Sequence, residues 1–302
     1  MKNKKPFSTL TTLQEVREYL CKNPLSRRAF CQYSSIAGLE GMVRSLKLHL
    51  SKGTKMNDLL ECEKIDKEKW ERTYIASFTH TFLESIAMWC VYSRQLSETI
   101  RLQFLPSRIW KLIENGKKTP IYKVTTTSGD NIVQYDPIGT PEDIKLCDVS
   151  YLRQHSLALD EKRLSEIKCK EIKNILSDCS MLGMVKHSAW EYEKETRLCI
   201  VLPPNSEQRY PDKIAIDFDG IHGATVMGSP CIDPERIQET LDGLKQEFIG
   251  VNKQKQIINS IQFDVADTKH CVSALKDKLY LPTFCSFCTK QSKCNLYKTI
   301  NR

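Results

Sequence analysis

The run Trp190-Glu191-Tyr192-Glu193-Lys194-Glu195-Thr196-Arg197 concentrates three carboxylates and a guanidinium, and the apolar Leu198-Cys199-Ile200-Val201-Leu202 follows at once. In an extended chain alternate side chains share a face, so Glu191, Glu193, Glu195 and Arg197 are expected to project together while Tyr192 and Leu198 face the other way. A row of like charges is costly unless something cationic or polar is held against it. That is the chemistry of a site that handles positive charge. The competing reading is a solvated edge strand whose charges discourage aggregation.

A second constellation lies near the end of the chain, where Cys285, Cys288 and Cys294 form Cys-x2-Cys-x5-Cys. Thiolates at i and i+3 can grip one metal, with Cys271 or His270 as a fourth ligand. The spacing predicts a structural zinc, with an iron–sulphur cluster as the alternative, and idle buried thiols as the reading without metal. Lys290, Lys293 and Lys298 beside it would let such a knuckle touch nucleic acid. Two further patterns carry less. Glu166-Ile167-Lys168 and Glu171-Ile172-Lys173 would suit a nuclease metal site on a strand, but their surroundings have helical periodicity, on which i and i+2 diverge. Asp217-Phe218-Asp219-Gly220 has the form of an aspartyl-phosphatase motif, yet a turn after a strand explains it more cheaply.

These groups sit in a chain of 302 residues with 40% hydrophobic and 27% charged content, which excludes wholesale disorder. No run approaches the length of a membrane span, and Met-Lys-Asn-Lys-Lys-Pro at the start lacks the apolar core of a secretory signal. Thirteen cysteines, an odd number mostly scattered singly, fit reduced thiols in the cytoplasm. The net charge of +8 is unevenly placed, with +8 over residues 1–55, +6 over 251–302 and −6 between. Basic ends could meet nucleic acid or another anionic macromolecule, or simply complement the acidic middle.

The elements that must position the site alternate. Thr12-Leu13-Gln14-Glu15 is a capping box for a short helix that Asn23-Pro24 stops. Strands are expected at Ala29 to Ser34, Leu46 to Leu50, Tyr74 to Phe78, Ile100 to Phe104, Ile121 to Val124 and Ile214 to Phe218. Helices are expected at Ile36 to Val43, Leu83 to Tyr92, around Ile109-Trp110, over a long amphipathic stretch from Leu157 to Ser180, and from an Asp233-Pro234 cap to Phe248. The pattern predicts a mixed α/β fold: a central mixed sheet flanked by helices. It divides the chain into a basic N-terminal arm, 1–28, an α/β domain, 29–265, and a basic cysteine-rich extension, 266–302.

Four short signatures occur in a recognisable order: Gln32-Tyr33-Ser34-Ser35 with Met56-Asn57-Asp58-Leu59-Leu60-Glu61; Ser77-Phe78-Thr79 with Met88-Trp89-Cys90-Val91-Tyr92; Trp190 with Glu193-Lys194-Glu195-Thr196-Arg197; and Ile221-His222-Gly223. Together they resemble the bacterial domain-of-unknown-function family 2971, over roughly residues 29–265. Gln32 stands where many members show His, and Glu98 where a Gly usually precedes the strand.

The same layout resembles, at a distance, the ADP-ribosyltransferase plan. That resemblance implies an ADP-ribosyltransferase-like core and NAD as the substrate bound. Gln32 would hold the adenosine ribose, Ser77 would support the nicotinamide end, and Glu195 would bind the nicotinamide ribose hydroxyl and stabilise the oxocarbenium-like transition state. Glu193 would be the acceptor-side carboxylate and Tyr33 or Tyr92 a stacking partner, with Arg197 and Trp190 completing the cofactor-binding set. The expectation is an NAD-consuming defence or stress effector acting on a macromolecule. The alternative is a nucleotide- or nucleic-acid-binding module without turnover, carrying a metal-stapled tail.

Overall fold

The computed structural model describes residues 30–56, 67–92, 95–126, 133–152, 185–204 and 210–265. The expected N-terminal arm and its helix, most of the Met56 to Glu61 loop, the long helix from Leu157 and the cysteine-rich extension with Cys271, Cys285, Cys288 and Cys294 lie outside the described residues.

The chain opens with β1 (Phe30–Ser35), which passes directly into helix α1 (Ile36–Ser45). Ser35 causes the change: its hydroxyl accepts the Gly38 N–H at 3.1 Å and satisfies one orphan donor of the first turn. Leu46, at φ 51°, ends the helix and turns the chain into β2 (Lys47–Lys52). A single 3-10 turn (Gly53–Lys55) and a short α2 (Lys67–Glu71) precede β3 (Thr73–Thr79). A Cβ on Gly53 would lie within 2.8–3.0 Å of the Trp70 ring, so only glycine lets that indole close over Ile75 and Cys199.

Next come α3 (Ile86–Val91), β4 (Thr99–Phe104), α4 (Pro106–Asn115), β5 (Ile121–Thr126), β6 (Val133–Gly139), β7 (Asp143–Asp148) and β8 (Ser150–Leu152). Beyond the undescribed stretch follow β9 (Val185–His187), β10 (Glu195–Val201), β11 (Lys213–Asp217), β12 (Thr225–Gly228), α5 (Pro234–Glu247), α6 (Asn252–Ser260) and β13 (Gln262–Val265). The fold is mixed α/β. Its eleven-stranded sheet runs β13-β12-β4-β1-β3-β2-β11-β5-β6, with β10 joined to β3 and β7 joined to β10, and β8 and β9 form a separate parallel pair.

The strand β3 organises the molecule. One of its edges belongs to β10 along its whole length, from Thr73↔Val201 to Thr79↔Glu195. The other edge is divided: β2 pairs at Tyr74 and Ile75, and β1 reaches only Thr79. Ala76 to Phe78 have no ladder partner on that side, so β1 and β2 splay apart and the sheet opens between them. Behind the opening, Phe30, Phe78, Phe104 and Phe218 stack edge to face with centroids 5.3–6.1 Å apart. Burial of each such side chain contributes about 1.5–3 kcal/mol, which fixes the floor of the split.

Two expectations need correction. The helix expected from Leu83 begins only at Ile86, because Thr81 draws the Leu83 N–H into a turn and Ser85 caps the helix through the Met88 N–H. Leu83 is left 78% exposed. The segment Ser188–Glu193 is a 3-10 helix and not the start of the strand; Lys194, at φ 46°, makes the turn into β10. Glu191 therefore leaves the row and pairs with Lys194 at the surface, 3.2 Å away. The Asp217 to Gly220 motif is a turn after β11, with Asp219 tied to Arg108 at 2.8 Å and Lys111 at 3.3 Å. Among the described residues, no helix is long and apolar enough to cross a membrane.

Candidate active site

A cleft of about 270 Å³ occupies the split between β1 and β2. Gln32 and Tyr33 of β1, Ser77 of β3, Tyr92 at the end of α3, and Glu193 and Glu195 all line it. These residues are far apart in sequence, and the division of the β3 edge brings them together. Arg197 and Trp190 take other places. The Arg197 side chain is fully buried behind Glu195, and Trp190 flanks the site through Lys186, whose Nζ lies 4.7 Å from the indole centroid.

The strand period places Glu195 and Arg197 on one face, opposite Thr79 and Ser77. Arg197 Nε donates to Glu195 Oε1 at 2.7 Å and Nη2 donates to Oε2 at 3.1 Å. The 3-10 turn and the left-handed Lys194 fold Glu193 back over the same spot. Both carboxylates meet Lys186, whose Nζ stands 2.5 Å from Glu193 Oε2 and 3.3 Å from Glu195 Oε2. This is the cation that the row of like charges demanded. Tyr151, paired in register with Lys186 across β8 and β9, accepts the Glu195 N–H at 2.8 Å. The Tyr92 hydroxyl donates to Glu193.

The two carboxylates titrate in opposite directions. Burial works to raise the Glu195 pKa, but the Arg197 and then the Lys186 charge outweigh it and hold the carboxyl down at about 2. Burial raises the Glu193 pKa, and the neighbouring Glu195 charge adds to this against the pull of Lys186. Burial also raises the pKa of Tyr92 and Tyr151, reinforced at Tyr92 by the Glu193 charge. One carboxyl is thus held well below the ordinary range and the other above it, the kind of separation that can divide a charge stabiliser from a base within one pair.

Sequence reasoning passed over Lys186, Tyr151 and, on the far wall, His49, Ser51 and Lys55. His49 Nε2 lies 3.0 Å from the Tyr135 hydroxyl, and burial followed by the Lys213 and Lys47 charges lowers its pKa. The signal for Lys186 was the charge imbalance itself. Among the described residues no group of His, Cys, Asp and Glu could hold a metal ion.

The family model described as "Protein of unknown function (DUF2971)" matches residues 88–198, from Met88 in α3 to Leu198 in β10. No curated protein matches the chain. Among solved structures it is similar to Thermus sp. 2.9 DarT in complex with NAD+, at 12% identity over 81% of this chain and 97% of that one, with a TM-score of 0.31. It is similar also to Thermus sp. 2.9 DarT in complex with carba-NAD+, at 12% identity over 73% and 90% of the two chains, with a TM-score of 0.29.

Proposed function

We propose that this chain is an ADP-ribosyltransferase-like enzyme that cleaves NAD and passes the ADP-ribosyl group to a macromolecule, as a cytoplasmic defence or stress effector. The observation that carries this reading is the meeting of Gln32, Ser77 and Glu195 in one cleft at the split of the sheet.

The lining suits a ligand rich in hydroxyls. Thr79 Oγ1 is buried and unpaired. Ser77 Oγ stands close enough to lower the Glu195 pKa yet makes no hydrogen bond of ordinary geometry. Tyr33 presents its ring to the cleft, held edge to face by Trp89 at 4.7 Å. Unpaired polar atoms at a buried wall are costly unless a ligand completes them.

In this reading Gln32 binds the adenosine ribose and Ser77 the nicotinamide end, with Tyr33 and Tyr92 as ring faces. Glu195, whose carboxyl Arg197 and Lys186 hold well below the ordinary range, faces the ribose hydroxyl and offsets the positive charge that grows on the sugar as the N-glycosidic bond breaks. The bonding pair leaves with nicotinamide. Glu193 takes the proton of the incoming nucleophile, and Arg197 keeps Glu195 in place from behind. Water as the nucleophile would release free ADP-ribose. The basic ends would hold an anionic macromolecule, and the terminal cysteines would hold zinc.

The test is incubation of the purified chain with adenylate-labelled NAD and fractions of cell extract. Nicotinamide release with label transferred to protein or nucleic acid is expected, both slowed on the order of 10²–10³-fold in Glu195→Gln. Salt-sensitive binding of nucleotide or nucleic acid without any turnover would instead favour a binding module.

A further inference from the structure

The two carboxylates of the cleft already have two cations. Lys186 Nζ serves both Glu193 and Glu195, and Arg197 grips Glu195 through a fork of two N–H donors. All four side chains are at most 5% exposed. The other contacts described for these carboxylates are neutral: the Tyr92 hydroxyl donates to Glu193, and Ser77 stands beside Glu195. Among the described contacts, the two carboxylate charges are thus matched by two buried cations. A further cation would arrive there without a partner of its own, which is expensive at such burial.

Resting on the transfer reading above, we infer that Lys186 is a built-in counter-ion that sets the acceptor class: a neutral nucleophile with a transferable proton, such as a hydroxyl, an amide or a ring N–H, and not a guanidinium or ammonium group. A cationic acceptor would need Glu193 as its ion-pair partner, and Lys186 occupies that position. The Trp190 ring, its centroid 4.7 Å from Nζ, helps hold the ammonium there. A neutral acceptor makes a different demand, a base for the proton it must lose. Glu193 meets it, because it lines the cleft beside Glu195 and, with its pKa raised, its carboxylate is the stronger base of the two. The step balances: the acceptor lone pair forms the bond to the ribose carbon, the N-glycosidic bond breaks with its pair leaving on nicotinamide, and the acceptor proton passes to Glu193.

The test uses the full chain, Lys186→Met and Lys186→Arg, with the guanidine compound agmatine as a cationic probe. Calorimetry reads binding without NAD, and mass spectrometry reads ADP-ribosyl-agmatine with NAD present. The wild type and Lys186→Arg are expected to show neither, while Lys186→Met binds agmatine at least about tenfold more tightly and forms the adduct. Agmatine binding or modification by the wild type would overturn the inference, as would a folded Lys186→Met that behaves like the wild type. Should Lys186→Met not fold, Lys186→Gln replaces it, and the wild-type arm is decisive by itself. Absence of NAD cleavage in every form would remove the transfer reading and the acceptor class with it, while the binding arm decides separately whether Lys186 shuts out the cation.

Discussion

Arg197 and Glu195, one strand period apart on β10, form a two-pronged ion pair with contacts of 2.7 and 3.1 Å, buried on both sides. Removing one partner strands a buried charge. Arg197→Met is expected to cost about 3–5 kcal/mol of unfolding free energy, and Arg197→Lys, which keeps the charge but loses the fork, distinctly less. Urea denaturation measures both. A loss below about 0.5 kcal/mol for Arg197→Met would mean the pair is solvated.

Acid should weaken the fold through Glu195. Its folded-state pKa of about 2 lies below the ordinary 4.5, so the stability it contributes is complete above about 4.5 and is lost as the pH falls toward 2. Glu193 has the opposite sign: its raised folded-state pKa makes its contribution full at low pH and fading as the pH rises through that pKa. Stability measured across the acid range should therefore fall less steeply in Glu195→Gln than in the wild type. Parallel curves would contradict the assignment.

Tyr92→Phe removes the hydrogen bond that works to lower the Glu193 pKa. The fold should lose about 0.5–1.5 kcal/mol, and the acid limb of the pH–rate profile should move to higher pH. An unmoved limb would show that Glu193 is not the base.

At the split of the sheet, Ser77→Ala deletes a hydroxyl with no hydrogen bond of ordinary geometry in the free protein. Stability should change by less than about 1 kcal/mol while KM for NAD rises about three- to tenfold. An unchanged KM would place the nicotinamide end elsewhere.

Much of the frame was legible in the sequence, and for identifiable reasons. The strands β3 and β11 carry short apolar runs, β4 alternates apolar with polar residues, α1 begins at a serine cap, and α5 begins at Asp233-Pro234. The β6 strand was not legible: it is exposed almost throughout and contains Pro137, as edge strands do. The four-residue β12 and β13 are too short to show a period. At the site, Gln32, Ser77, Glu193 and Glu195 could be picked out by type and order. The 3-10 turn before Glu195 could not, because lysine at position 194 gives no sign of a left-handed φ. Lys186 and Tyr151 reach the carboxylates through the β8–β9 pairing, a contact with no local trace in the chain.

The most direct measurement is nicotinamide release from NAD by the wild type and Glu195→Gln, with NAD binding followed in parallel. Both forms are expected to bind NAD, and Glu195→Gln to release nicotinamide on the order of 10²–10³-fold more slowly. Release at the wild-type rate by Glu195→Gln, or no NAD binding by the wild type, would contradict the proposed function.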